Sequence, residues 1–168
     1  TREEVGHWEM DSVVGAQGEG EKTLLVLTER KTRKEIIRLL NNHTSEEVVK
    51  ALNRIERDLG EKRFRETFKS ITVDNGTEFS DWEGMERSRR NKKRKRTKIY
   101  YCHAYRSCER GSNENLNRMI RRWFPKGTNF DDVSKSEVQK VENWINQYPR
   151  EILGWKSSDE MYKLEQAI

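Results

Sequence analysis

The chain has 168 residues, 38% charged and 32% hydrophobic, and its five Trp, five Tyr and five Phe are more than a disordered chain carries, so the composition predicts one folded domain over residues 1–168. Net charge is +5, nothing resembles a secretory leader and no apolar run reaches 18 residues, which predicts a soluble protein. Cys102 and Cys108 lack CxxC spacing, and His7 and His43 lie far from Cys102-His103, which argues against zinc and leaves a reducing compartment as the expectation. Because the sequence starts at Thr1, without a Met, we expect a piece excised from a longer protein.

Residues 7–14, HWEMDSVV, read as a strand with Glu9, Asp11 and Val13 on one face and Trp8, Met10, Ser12 and Val14 on the other. After the glycine-rich turn GAQGEGEK, the apolar runs TLLVLT at 23–28 and EIIRLL at 35–40 give two further strands, an antiparallel meander. The period then changes. Val48, Val49, Leu52, Ile55 and Leu59 share one helical face, with Thr44 or Ser45 as N-cap and Gly60 as C-cap. A strand ending in ITVDNG follows that helix, the order that builds a parallel pairing by crossover. KIYYCHAY at 98–105 reads as a fifth strand. Leu116, Met119, Ile120, Trp123 and Phe124 then take helical spacing up to a stop at Pro125. Residues 134–148 form another amphipathic helix, with Val138, Val141, Trp144 and Ile145 inward, and SSDEMYKLEQ adds a short helical segment. The expected fold is α/β, a mixed five-stranded sheet flanked by helices.

The basicity is local. Residues 87–98, RSRRNKKRKRTK, hold nine cations and no acid, which leaves −4 for the rest of the chain. Such a run attracts a polyphosphate by counterion release; it also suits a solvated loop extended by its own repulsion, and both readings stand. Arg30, Lys31, Arg33 and Lys34 make a second, smaller group between two strands, either a phosphate contact or a charged hairpin.

With 29 carboxylates, position has to select among the acids. Asp11 sits inside a strand, where β-propensity disfavours it. Asp74 ends a strand on the side where open α/β sheets place their sites. Glu114 belongs to a polar helical stripe with Asn117, Arg118 and Arg121. Each also has an ordinary reading: Asp11 facing solvent from an edge strand, Asp74 capping its Asn-Gly turn, Glu114 as a first-turn acid or the partner of Arg118. Taken together they lie on three elements that a mixed sheet can bring to one edge. Three carboxylates there suit two Mg2+ ions about 3.5–4 Å apart, which take oxygen ligands and support in-line phosphoryl displacement. Arg110, Asn113, Asn117, Arg121, Arg122 and Lys126, around Glu114, suit phosphate oxygens and base edges, or form a solvated helix face.

The blocks GHWEMDSVVG, LTERKTRKEI, ITVDNGTEFSDW, YRSCERGSNENLNRMIRRWFPKGTNF and NQYPREILGWKSSDEMY, spanning about residues 6–162, resemble the integrase-like core of bacterial DDE transposases of the insertion sequence 30 family. The resemblance implies a ribonuclease H-like fold, with Asp11, Asp74 and Glu114 as catalytic, metal-binding acids. It further implies Mg2+ or Mn2+ as cofactor, strand cleavage that frees a DNA 3′-OH, and transfer of that hydroxyl to target DNA. Transposon ends and target DNA are the implied partners, with homo-oligomers on DNA in the cytoplasm at the nucleoid. The chain departs from the family pattern at His103-Ala104, Cys108, Arg118 and Tyr148. A non-catalytic nucleic-acid-binding domain of the same fold, or a hydrolytic nuclease, is the alternative.

Overall fold

The computed structural model describes residues 4–16, 20–102 and 111–166, with the side chains of 111–116 outside the description. Five strands, β1 (His7–Val13), β2 (Thr23–Glu29), β3 (Glu35–Leu40), β4 (Ser70–Val73) and β5 (Ile99–Tyr101), form one sheet in the order β3-β2-β1-β4-β5. β1, β2 and β3 pair antiparallel, whereas β4 lies parallel to β1 and β5 parallel to β4. The predicted meander, the crossover and the mixed sheet are all present. β1 is central, which rules out an edge-strand position for Asp11.

The crossover from β3 to β4 contains two helices, α1 (Ser45–Leu59) and α2 (Glu61–Thr67). Thr44 caps α1 by accepting from Glu47 N, and Gly60, at φ 86, closes it. Sequence periodicity gives α1 but not α2, whose EKRFRET has one apolar residue, Phe64, and so no stripe to read. That Phe64 is buried against Phe68 and, through it, Trp8, whose Nε1 donates to Thr67 O at 2.8 Å. Between β4 and β5 come a short 3-10 turn at Thr77–Phe79 and α3 (Trp82–Glu86). α4 (Gly111–Trp123), α5 (Lys135–Gln147) and α6 (Ser158–Gln166) follow β5.

Alternation along the strands fills two cores. Trp8, Met10, Leu25, Leu27, Ile71 and Val73 face α1, α2 and α3. Val13, Leu24, Val26, Ile37 and Leu39 face α4 and α5, meeting Ile120, Phe124, Val138, Val141 and Ile145. Trp123, expected inward, is half exposed and packs edge-on against Trp144 with ring centroids 5.4 Å apart. Neighbours on a helix point about 100° apart, and Phe124 takes the place in the core. The strand expected over 98–105 is a strand at Ile99–Tyr101; its continuation from residue 103 lies outside the described residues. No helix among the described residues is long and apolar enough to cross a membrane.

Candidate functional site

In the parallel pairing of β1 and β4, Glu9 lies opposite Thr72. Continued by two residues, that register sets Asp11 of β1 level with Asp74, the residue just after β4. Strand alternation fixes their direction. Ile71 and Val73 belong to the α1 core, which puts Thr72 and Asp74 on the opposite face; Val13 belongs to the α4 core, which puts Asp11 on that face with it. Both carboxylates therefore stand on the α4 side, at the carboxyl ends of two adjacent parallel strands, and both are half-buried.

Local hydrogen bonds orient them. Ser12 N donates to Asp11 Oδ1 at 2.9 Å, and Gly76 N donates to Asp74 Oδ1 at 2.8 Å. The second bond is the Asx turn expected of Asp-Asn-Gly. Gly76 lies close against both acids: a Cβ there would displace the Glu78 carboxylate and come within 2.9 Å of Asp74 Oδ1.

Glu78 itself is buried, in the first turn of the Thr77–Phe79 helix. Ser12 Oγ donates to Glu78 Oε2 at 3.2 Å and lies 3.2 Å from His43 Nε2, and that ring nitrogen also contacts the Glu78 carboxylate. The Tyr101 hydroxyl donates to Phe79 O, and burial raises its pKa, assisted by Asp81 and Glu86. The turn carrying Asp74 is thus tied to β1, to the loop before α1 and to β5. The sequence gives no pointer to the links of Glu78 with Ser12 and His43 beyond the fact that Ser12 adjoins Asp11.

α4 closes the same face. Ile120 and Phe124 pack with Val13, and Arg121 Nη2 donates to Val14 O at 3.3 Å, just beyond β1. The seven-residue spacing sets position 114 two turns along from Arg121 on the same side of α4. The side chains of Glu114 and Asn113 lie outside the described residues, as does Arg110. Among the described residues no group of three or more His, Cys, Asp or Glu is arranged to hold a metal ion; Asp11 and Asp74 are the described pair.

The remaining candidates divide. Asn117, Arg122 and Lys126 are exposed, with the Arg122 guanidinium 5.4 Å from the Trp144 ring centre. Arg121 is spent largely on backbone, also reaching Phe124 O at 3.4 Å and Pro125 O at 3.5 Å. The cations of the β2–β3 connection turn inward: Arg30 pairs with Glu9 at 3.3 Å, Lys31 with Glu165 at 2.9 Å and Lys34 with Asp159 at 2.5 Å, while Arg33 is buried. That segment is a charged hairpin tied to α6 and β1.

A buried polar layer lies deeper on the α5 side. Glu35 N donates to Asn146 Oδ1 at 2.8 Å, Asn146 Nδ2 returns a bond to Glu35 O at 2.9 Å, and Thr28 Oγ1 donates to Glu35 Oε2 at 3.0 Å. Burial pushes the Glu35 carboxyl well above the ordinary range, against the opposing influence of Thr28 and Arg150; burial lowers Arg150 while Glu35 pushes it back up. This layer fastens α5 to β3.

The Integrase core domain family matches residues 2–107. The probable transposase for insertion-like sequence element IS1161 of Streptococcus salivarius is 34% identical over 98% of the chain and 44% of its own length. The transposase for insertion sequence element IS4351 of Bacteroides fragilis is 31% identical over 96% of the chain and 46% of its own length. Transposase InsI for insertion sequence element IS30C of Escherichia coli K12 is 32% identical over 95% of the chain and 38% of its own length. The chain thus spans less than half the length of these curated relatives. The crystal structure of the catalytic core domain of BIV integrase superposes with a TM-score of 0.66 at 14% identity, covering 96% of each chain, which shows a shared ribonuclease H-like fold. With its mixed sheet in the order β3-β2-β1-β4-β5 and its match over residues 2–107, the chain belongs to the integrase core domain family.

Proposed function

We propose that this chain is the catalytic core of a DDE transposase, with Asp11, Asp74 and Glu114 as its acids, cutting DNA at transposon ends and transferring the freed 3′-OH to target DNA. The observation that carries this reading is the level placement of Asp11 and Asp74 at the carboxyl ends of two parallel strands, on the face covered by α4. Mg2+ or Mn2+ fits such a donor set, because hard divalent cations take carboxylate oxygens. When bound, such ions lower the pKa of water and neutralise charge at a reacting phosphate.

The chain's own contribution is position. Ser12 N and Gly76 N each hold one carboxylate oxygen of the two Asp residues, so neither side chain has to be ordered when DNA arrives. The buried Glu78, with Ser12 and His43, keeps the Asp74 turn from moving off the sheet edge. Asn117, Arg122 and Lys126 offer donors and positive charge to phosphate oxygens from α4 and the segment after it, and Arg110 and Asn113, next to Glu114 in the sequence, are assigned the same role from their residue types. Arg121 acts chiefly by holding α4 against β1.

The test is nicking and joining of transposon-end DNA by the full-length protein in Mg2+ or Mn2+. Asp74→Asn should lower the rate by more than the roughly 100-fold that losing even an outer partner of a metal ligand costs. Equal rates for the two proteins would overturn the assignment.

A further inference from the structure

The basic run is an anchored hairpin, and seven of its nine cations are exposed. Arg87 and Lys95 form an antiparallel bridge, Ser88 N donates to Arg94 O at 2.9 Å, and Arg94 N donates to Asn91 O at 2.9 Å. Arg96 holds it down. Its buried guanidinium donates to Met85 O at 2.9 Å, Gly84 O at 2.9 Å, Asn53 Oδ1 at 2.7 Å and Glu56 Oε1 at 3.3 Å. Arg89 N donates to the same Glu56 oxygen at 2.8 Å, and Ser88 Oγ donates to Glu61 Oε1 at 2.8 Å. Arg89, Arg90, Lys92, Lys93, Arg94, Lys95 and Lys98 are left exposed. Arg94 and Lys95 share charge with Glu61 and Glu86 at 3.5 and 3.6 Å; the other five form no ion pair among the described residues.

We infer that this hairpin is a preformed contact for the phosphate backbone of duplex DNA, separate from the acid edge. Holding seven cations together raises their mutual repulsion, which a polyanion relieves while releasing its own counterions. The run RSRRNKKRKRTK contains no apolar side chain, so it has nothing to insert into a lipid interface and no aromatic or aliphatic anchor for a protein interface. Preorganisation reduces the ordering cost that a mobile loop would incur on binding. Its place is the opposite end of the sheet from the acids: Ile71 N donates to Lys98 O at 2.9 Å and Thr97 Oγ1 to Phe68 O at 2.7 Å, at the amino ends of β4 and β5. From Ser70 to Asp74 the chain advances about 13 Å, so DNA held by the hairpin is gripped away from the reacting phosphate.

The inference rests on DNA being the substrate, and its test separates the two. Binding of a labelled mixed-sequence duplex to the full-length protein is measured in EDTA across a salt series. The exposed set Arg89→Gln, Arg90→Gln, Lys92→Gln and Lys93→Gln should weaken binding and flatten the slope of log K against log salt by about 0.9 for each phosphate no longer neutralised, with the unfolding midpoint unchanged. Lys140→Gln, at an exposed cation of α5 outside both the hairpin and the acid edge, should keep the wild-type slope. Unchanged affinity and slope in the folded fourfold variant would overturn the hairpin proposal, whatever the nicking assay gives; absent nicking beside a slope that still depends on the four cations would sink only the cleavage reading.

Discussion

Asp74 accepts from Gly76 N at 2.8 Å and also lies level with Asp11, so capping its own turn and facing the acid edge belong to one conformation and do not compete. The ordinary reading of the residue is met, and the cap is what gives the carboxylate a fixed direction. Glu35 shows the opposite balance. It is buried, its Oε1 has no hydrogen-bond partner among the described residues, and its carboxyl titrates well above the ordinary 4.5 because burial disfavours the charged form. A carboxyl raised on folding stabilises fully below 4.5 and loses that contribution as pH rises through the folded value. Relative to Glu35→Gln, the wild type should therefore lose stability as pH climbs from acid toward neutrality, read as urea midpoints at each pH. Parallel midpoint curves for the two proteins would show that Glu35 carries no such shift.

At the scale of elements, Arg96 is the buried charged anchor of the hairpin of residues 87–98. Breaking a buried ion pair leaves the other charge without compensation, at a cost of about 3–5 kcal/mol. Arg96→Met should therefore lower stability by about 3 kcal/mol, since Glu56 stays buried without its cation. Chemical denaturation measures this loss, and a value near zero would mean the hairpin is held by its other bonds. The sequence shows the nine cations but not this anchor, because Glu56 and Asn53 lie some 40 residues away and contact order is invisible in composition. The strands and long helices are legible for the converse reason. β1 alternates, α1 carries its own Thr44 and Gly60 caps, and α5 shows Ser134 and Glu137 spaced as a capping box, each signal complete within a few residues. α2 and α3 are too short and too polar to generate a period. Trp123 is misread because periodicity alone does not say which of two adjacent aromatics wins the core.

Across the whole molecule, the two ends of the parallel strands carry opposite charge: carboxylates at the carboxyl ends of β1 and β4, cations at the amino ends of β4 and β5. Asp11 and Asp74 are legible in the sequence only as separated acids, and the fold adds what spacing could not, namely that the two are level and on the face that α4 covers. The cluster beneath them, Ser12, His43 and Glu78, comes from three parts of the chain and leaves no linear pattern. The proposed chemistry stands or falls on whether Asp11, Asp74 and Glu114 converge on divalent metal. Diffraction from crystals of the protein soaked in Mn2+, read by anomalous scattering, decides this. We expect anomalous peaks ligated by Asp11 and Asp74, with Glu114 completing the site from α4. A Mn2+-soaked crystal with no peak at these carboxylates, or with Glu114 turned away from a bound ion, would contradict the assignment.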